Sequence, residues 1–264
     1  MKDLCADLSA EYSQLAVLVE ALTPEQWELK TPFGDWTPWD EIAHLCYFDE
    51  TGLLAATDPE AFAEETTALL KQFENGIEID AVARERYGHL LGPRIVPYWR
   101  ATCERLIGAL SGMEPKARLP WYGPALSVRS FATARMMEIW AHGRNIYDCV
   151  GERQPVSERL KNIAHLGVST YRWSFMNRNL PVPEPAPYIE LQAPSGEKWI
   201  WNDPVSEDHT LRGSAEEFCL VVTRRQNVAD TGLLFTGNAA KWLPIAQCFA
   251  GPPEEAPLPC SRAE

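Results

Sequence analysis

The sequence lacks the features that would place the protein in a membrane or outside the cell. Among its 264 residues no apolar run approaches the length of roughly 18 residues that a membrane-spanning helix needs. The amino-terminal residues MKDLCADLSAEY carry acidic side chains where a secretory signal peptide would have a basic segment followed by an apolar one. We therefore expect a cytoplasmic protein that does not bind membranes.

Regularly spaced cysteines are also missing. The seven cysteines are scattered, odd in number and never spaced as Cys-x-x-Cys, which argues against a disulfide framework and against a cysteine-based zinc site. We expect most of them to be small buried apolar residues. Cys260 lies in a polar tail and is expected to be exposed.

Basic residues are few. Lysine and arginine together number 24 against 37 aspartates and glutamates, which gives a formal net charge of −13. No stretch rich in lysine and arginine offsets this charge locally, and so acidic a surface repels phosphate backbones. We therefore expect no nucleic-acid partner.

The composition that remains, 45% hydrophobic and 23% charged, is that of a globular protein. Over the first 180 residues the apolar side chains recur with the period of a helix. One helix has a well-marked start, with Thr37 as N-cap, Pro38 at the first position and Asp40 at the third. Helices are predicted at residues 2–22, 38–56, 93–110, 131–151 and 157–175, with looser helical pieces between 59 and 91.

The pattern changes after the proline-rich segment LPVPEPAPY, which predicts an extended linker. Alternating residues then predict a hairpin in YIELQAPSGEKWIWN and strands in DHTLRG and TGLLFTG. Helices are predicted in SAEEFCLVVTRR, capped by Ser214, and in NAAKWLPIAQCFAG. The predicted fold class is α+β, with a helical bundle at 1–180, a small α+β module at 186–252 and a disordered tail at 253–264.

Three polar side chains stand within apolar helical stretches. Glu138 and His142 are four residues apart, so they project from one helix face, and His44 occupies the middle of the predicted helix 38–56. An exposed Glu/His pair is common on ordinary helices, and a lone histidine is usually a satisfied core residue. Here the neighbours are apolar, and buried polar groups need partners. A divalent cation would serve all three groups.

The segments DWTPWDEIAHL, MMEIWAHGRNIYD and FCLVVTRR together resemble the DinB-like metal-binding superfamily and, more narrowly, the mycothiol-dependent maleylpyruvate isomerase group. The resemblance covers nearly the whole chain. It implies an amino-terminal four-helix bundle that holds one divalent metal, usually zinc, through His44, Glu138 and His142. Such a ligand set also accepts nickel, iron, manganese or cobalt.

The resemblance further implies a metal-dependent enzyme that uses mycothiol or glutathione to isomerise a small substrate or to transfer the thiol to it. Two imidazoles and one carboxylate leave an open position on zinc, where a bound thiol loses its proton. In relatives an arginine of the carboxy-terminal module lies near the metal. Arg224 or Arg225 is the candidate for binding a substrate carboxylate, and the alternative is that both are surface residues at a helix end.

Other polar residues lie one or two turns from the predicted ligands. Asp49, Asn145 and Asp148 are candidates for orienting an imidazole or facing the cavity. Large aromatic side chains either line an apolar pocket or belong to the core, and these are Trp36, Trp39, Trp121 and Trp140.

Two other functions are compatible with the sequence. In the first, the metal holds the bundle together without catalysis, and chelation would unfold the protein. The carboxy-terminal module also resembles a segment associated with formation of the tRNA base wyosine, which would predict tRNA binding in spite of the acidic net charge.

Overall fold

The computed structural model describes residues 1–204 and 208–260. The chain divides into two compact units, Met1–Gln154 and Pro155–Glu264. The architecture is α+β, as predicted, with the long helices concentrated in the first unit. Across the described ranges, every helix is too short or too polar to cross a bilayer.

The first unit contains six helices and one small two-stranded sheet within its residues 1–154, all of which are described. The helices are α1 (Lys2–Glu20), α2 (Pro38–Thr57), α3 (Pro59–Glu74), α4 (Ile79–Tyr87), α5 (Ile95–Ser111) and α6 (Val128–Val150). Short 3-10 turns span Gln26–Glu28 and Gly92–Arg94, and the antiparallel strands are β1 (Arg118–Leu119) and β2 (Leu126–Ser127).

Four of these helices form the predicted bundle. Helix α1 packs against α5 and α6, and α2 packs against the same two helices. Each helix contributes an apolar stripe to a common core, in which Leu8, Ile42, Trp99 and Leu106 are fully buried. The packing of α2 against α6 is what brings residues of these two helices together at the site described below.

Helix α2 begins as its sequence predicts. Thr37 Oγ1 accepts a hydrogen bond from the backbone N–H of Asp40, and the Asp40 carboxylate accepts one from the N–H of Thr37 at 2.9 Å. Pro38 occupies the first helical position, where no backbone donor is needed. This reciprocal cap defines the first turn and places Glu41 and His44 on the following turns.

Helix α6 starts three residues before the predicted position. Ser127 is the N-cap, since its Oγ accepts from the backbone N–H of Ser130 at 3.0 Å. The helix ends at Gly151, whose φ of 74° is the left-handed conformation that glycine adopts without strain. Glu138 and His142 therefore lie near the middle of a rigid helix.

The second unit combines a four-stranded sheet with short helices. Its helices are α7 (Leu160–Ser169), α8 (Tyr171–Met176), α9 (Ala215–Val222) and α10 (Asn238–Trp242), with 3-10 turns at Val228–Asp230 and Leu243–Ile245. Its strands are β3 (Tyr188–Gln192), β4 (Lys198–Trp201), β5 (Thr210–Ser214) and β6 (Leu234–Phe235). The strand order is β4-β3-β5-β6, in which β3 is antiparallel to β4 and parallel to β5. Ser214 caps α9 as predicted.

The division between the units lies between Gln154 and Pro155, whereas the sequence places the end of the bundle at 180. The reason is that α7 packs against α9 of the second unit. Gly167 allows this approach, because a Cβ there would lie only 2.9 Å from Val222 Cγ2. The predicted single helix 157–175 is in fact two helices, α7 and α8, which meet at Thr170.

Within the predicted tail 253–264, residues 253–260 form an extended segment. Side chains of the second unit contact it: Glu254 N–H donates to Gln247 Oε1 at 3.0 Å, and the N–H of Cys260 donates to the Asp230 carboxylate. The disorder of this tail stays a prediction. The remainder of the predicted tail, 261–264, lies outside the described residues.

Candidate metal centre

The three predicted ligands lie together between α2 and α6. One ligand atom from each of His44, Glu138 and His142 can be chosen such that all three atoms are within 4.8 Å of one another. Glu138 Oε2 is 3.3 Å from His142 Nε2 and 3.9 Å from His44 Nε2. The two imidazole rings are 4.4 Å apart between centroids. His44 and Glu138 are 94 positions apart in sequence, and the packing of α2 against α6 brings them together.

This spacing fits a divalent metal. Zinc bonds of 2.0–2.1 Å in tetrahedral geometry place any two ligand atoms about 3.3 Å apart. The observed distances of 3.3 Å and 3.9 Å require only small side-chain movements to reach that value. Three protein ligands would leave a fourth position for another molecule, which is the arrangement of catalytic and not of purely structural zinc sites.

The protonation states also suit metal binding. Burial and the neighbouring His142 lower the pKa of His44 to about 4, so this ring is neutral at pH 7 and has a lone pair to donate. Burial opposes ionisation of Glu138, but the neighbouring imidazoles of His142 and His44 outweigh it and hold the pKa of this carboxyl well below its usual range. The cluster thus contains a carboxylate and at least one neutral imidazole.

His142 differs from His44 because it has two acidic neighbours. Burial disfavours its protonated form, yet the hydrogen bonds with Glu138 and Glu41 outweigh burial and raise its pKa. A metal bound at Nε2 would take the place of the proton at that atom.

Glu41 is a site residue that sequence reasoning missed. It is fully buried, and its Oε2 lies 2.5 Å from His142 Nδ1. Its other oxygen accepts from Thr31 Oγ1 at 2.8 Å. The available signal was its position three residues before His44 on a largely apolar helix, next to the capping residue Asp40.

Aromatic side chains surround the two histidines. Trp36 stacks on His142 at 6.0 Å between centroids and lies 5.2 Å from His44. Phe33 contacts the edge of His142 at 5.7 Å, and Phe48 packs on His44 at 4.8 Å. Trp36 was a predicted pocket residue, whereas Phe33 and Phe48 were not. The result is an apolar wall beside a polar cluster.

The other tryptophans occupy different positions. Trp121 stacks on Phe62 at 5.8 Å and approaches Phe48, so it extends the aromatic wall one layer away from the histidines. Trp39 and Trp140 are buried in the first unit, at 7% and 4% exposure, in agreement with their alternative assignment to the core.

The ligands keep some access to the outside. The side chain of Glu138 is 25% exposed and that of His44 is 13% exposed, while His142 is almost fully covered. The cluster is therefore partly open to solvent on the side of Glu138 and His44.

Asp49 does not orient an imidazole. Its fully buried carboxylate accepts from Tyr12 Oη at 2.5 Å and from Trp99 Nε1 at 3.1 Å. It also pairs with Arg135 at 2.9 Å, and Arg135 donates to the backbone carbonyl of Leu45. Asp49 therefore ties α2 to α6 in the bundle core, because five residues rotate its side chain about 140° around the helix from His44 and toward Arg135.

Among the described residues, no hydrogen bond joins Asn145 or Asp148 to an imidazole. Asn145 is 2% exposed, and its Nδ2 has no hydrogen-bond partner within the described ranges. Asp148 pairs with Arg144 Nε at 2.8 Å and 2.9 Å at the helix surface.

The two candidate arginines belong to the second unit. Arg224 is only 5% exposed, so it is not a surface residue, and its Nη1 donates to the carbonyl of Pro244 at 2.8 Å. Burial and the nearby Arg178 lower its pKa to about 10, which still leaves it charged at pH 7. Arg225 is half-buried and donates from Nη1 to the carbonyl of Thr223.

Comparison with known proteins places this architecture in a family. Residues 8–147 match the family model described as the mycothiol maleylpyruvate isomerase N-terminal domain. Two uncharacterised proteins from two strains of Mycobacterium tuberculosis are each 39% identical over 249 residues, which covers 94% of this chain and 95% of the relative.

Solved structures show the same fold. A crystal structure of a mycothiol-dependent maleylpyruvate isomerase aligns with a TM-score of 0.54 at 15% identity, over 89% of this chain and 92% of that one. A point mutant of a mycothiol-dependent maleylpyruvate isomerase aligns with a TM-score of 0.53 at 14% identity, over 85% and 89% of the two chains. With its bundle, its ligand cluster and the match over 8–147, this chain belongs to the mycothiol maleylpyruvate isomerase family.

Proposed function

We propose that the protein binds one divalent metal, with zinc favoured, through His44, Glu138 and His142, and that this metal activates a low-molecular-weight thiol. The observation that carries the proposal is the convergence of the three ligand atoms within 4.8 Å, with the two Glu138–histidine separations at 3.3 Å and 3.9 Å, near the roughly 3.3 Å of tetrahedral zinc. When bound, the metal supplies a Lewis acid that lowers the pKa of a thiol and makes it nucleophilic near neutral pH.

The surroundings of the cluster support a catalytic role for this metal. The partly exposed Glu138 and His44 leave access for a thiol, and the aromatic side chains of Trp36 and Phe48 limit the access of water. Membership of the family supports mycothiol as the thiol and isomerisation as the reaction, with glutathione and thiol transfer as the other options.

Arg224 and Arg225 are the proposed residues for binding a carboxylate of the small substrate. In support, Nε and Nη2 of Arg224 have no hydrogen-bond partner among the described residues. These two neighbouring donors are the pair that a guanidinium uses to bind a carboxylate through both oxygens.

The test is to replace the metal by cobalt and to add thiols. Mycothiol should produce a sulfur-to-cobalt absorption band in the near ultraviolet, and glutathione should show whether the site distinguishes between thiols. His142→Ala should lose both the metal and the band, whereas His89→Ala, which removes an exposed histidine elsewhere in the bundle, should retain both. Stoichiometric cobalt with no response to either thiol would contradict the proposal.

The reaction is tested separately. Zinc-loaded protein with mycothiol should isomerise maleylpyruvate or a related unsaturated acid, as measured by the change in ultraviolet absorption of the substrate. Arg224→Met should raise KM for a carboxylate substrate while leaving zinc content unchanged, because it removes a binding group and no metal ligand. Thiol binding without any isomerisation would redirect the search to thiol transfer.

A further inference from the structure

The segment before α2 folds into a tight loop beside the metal centre. The backbone N–H of Thr31 donates to the carbonyl of Trp36 at 2.8 Å and closes a loop of residues 31–36, here named the aromatic loop. Lys30 Nζ donates to the carbonyl of Asp35 across its exposed side. The loop carries Phe33 and Trp36, both of which contact the His142 ring.

A chain of hydrogen bonds connects this loop to the same histidine from within the protein. Thr31 Oγ1 donates to Glu41 Oε1 at 2.8 Å, and Glu41 Oε2 lies 2.5 Å from His142 Nδ1. Thr31, Glu41 and His142 are 4%, 0% and 4% exposed, so water does not compete for these bonds. Both carboxylate oxygens of Glu41 are occupied, one by the loop and one by the ligand.

The other histidine has no equivalent support. Nδ1 of His44 is buried without a hydrogen-bond partner in the part of the chain that the structure describes. Apart from the contact of its Nε2 with Glu138, its ring is held by packing against Trp36 and Phe48. Of the two histidines, only His142 has a carboxylate at Nδ1, which favours the proton on that atom and leaves Nε2 for a metal.

We propose that Glu41 is a positioning residue that couples the aromatic loop to the metal ligand His142. Glu41 sets the tautomer and ring orientation of His142 and, through the Thr31 hydroxyl, holds Phe33 and Trp36 over the metal centre. This inference rests on the proposed metal site. Thr31 of the loop and His142 of the metal centre share the Glu41 carboxylate. Binding of the metal therefore stabilises the closed loop, and opening of the loop weakens metal binding by the same factor.

The first test measures zinc affinity by competition with a chromophoric chelator. Glu41→Gln should lose 10- to 100-fold in affinity, the usual effect of removing the carboxylate behind a metal-bound histidine. Thr31→Val keeps the shape but removes the hydroxyl, and should lose about fivefold, whereas Thr31→Ser should restore the affinity. Glu50→Gln removes another α2 carboxylate, one bound to Tyr87 and Tyr98, and should behave as the wild type.

The second test follows the loop and uses the metal-free protein as well. Trypsin cleaves after the exposed Lys30, next to Thr31, and mass spectrometry identifies the released 1–30 fragment. We expect Glu41→Gln and Thr31→Val to be cleaved faster than Glu50→Gln and the wild type. Zinc should protect the wild type, and it should protect Thr31→Val less.

The outcomes separate the two proposals. If Glu41→Gln and Thr31→Val bind zinc and resist trypsin as the wild type does, the coupling is wrong while the metal site stands. If the wild-type protein takes up no metal at the three ligands, the proposed function fails, and the cleavage rates of the metal-free variants still decide whether Glu41 holds the loop. Should Glu41→Gln fail to fold, the zinc affinity and trypsin resistance of Thr31→Val, compared with those of Thr31→Ser, decide whether the loop is coupled to His142.

Discussion

Replacing Arg135 by methionine should strongly destabilise the helical bundle. Arg135 and Asp49 are 3% and 0% exposed, and their charged groups are 2.9 Å apart. Methionine fills a similar volume but leaves the Asp49 carboxylate in the core without its cation. Among the described residues, this carboxylate would then keep only neutral hydrogen-bond donors, which are Tyr12, Trp99 and Cys103.

The expected loss follows from the burial of this pair. Removing one partner of a fully buried ion pair destabilises a protein by about 3–5 kcal/mol. For a domain of the size of the first unit, each kcal/mol lowers Tm by about 2–4 °C, so the melting temperature should fall by about 6–20 °C. Arg144→Met, which breaks the surface pair with Asp148, is the matched control and should lose less than about 1 kcal/mol.

The dependence of the free energy of unfolding on pH provides a second test of the role of Arg135. Burial outweighs Arg135 and the hydrogen bonds from Tyr12 and Trp99, so the pKa of Asp49 is raised, and removal of Arg135 would raise it further. An acid with a raised folded-state pKa binds its proton more tightly when folded, so stability falls as pH increases from the unfolded pKa toward the folded one. Arg135→Met should therefore lie closest to the wild type in mild acid and fall behind it as the pH increases.

Urea and thermal unfolding, followed by circular dichroism, measure both effects. The double variant Asp49→Leu with Arg135→Met has no buried charge at this place and should recover part of the lost stability. A loss below about 1 kcal/mol in the single variant would refute the reasoning. So would a double variant that is less stable than Arg135→Met alone.

Three further predictions concern the metal, the cysteines and a helix cap. Chelation should leave the far-ultraviolet circular dichroism unchanged, because the bundle has an extensive apolar core of its own, and unfolding on chelation would favour the purely structural role of the metal. Of the seven cysteines, the exposed Cys260 should react first with a thiol reagent in native protein, and Cys260→Ser should remove this fast phase. Thr37→Ala should destabilise the protein by about 1 kcal/mol in urea titrations, and Thr37→Ser should not.

The sequence predicted best those features that depend on neighbours along the chain. The start of α2 is encoded by Thr37, Pro38 and Asp40 within four positions, and the end of α6 is encoded by Gly151. Period-two alternation likewise identified the hairpin of β3 and β4. In each case the deciding hydrogen bonds join residues close in sequence.

Features that depend on tertiary packing were harder to predict from the sequence. The proline-rich segment near 181–187 indicates an extended chain, but only the packing of α7 against α9 shows that the second unit begins at Pro155. Ser127 and Ser130 are both acceptable caps for α6, and local sequence does not choose between them.

The candidate site shows the same division. His44, Glu138 and His142 stood out because polar residues interrupt apolar helix faces, and the fold brings them together. Glu41 is likewise a polar residue in an apolar helical stretch. Because it lies beside Asp40, which has an evident role in capping α2, it was not predicted as a site residue. Asp49 is close to His44 in sequence, but a spacing of five residues turns it to another face of α2, where it pairs with Arg135 from α6.

Metal stoichiometry tests the central claim most directly. Elemental analysis of purified, tag-free protein should find one divalent metal per chain. His44→Ala, Glu138→Ala and His142→Ala should each lose it while keeping the helical circular dichroism, and His89→Ala should keep it. Full metal occupancy in any of the three ligand variants, or no metal in wild-type protein supplied with zinc, would contradict the account.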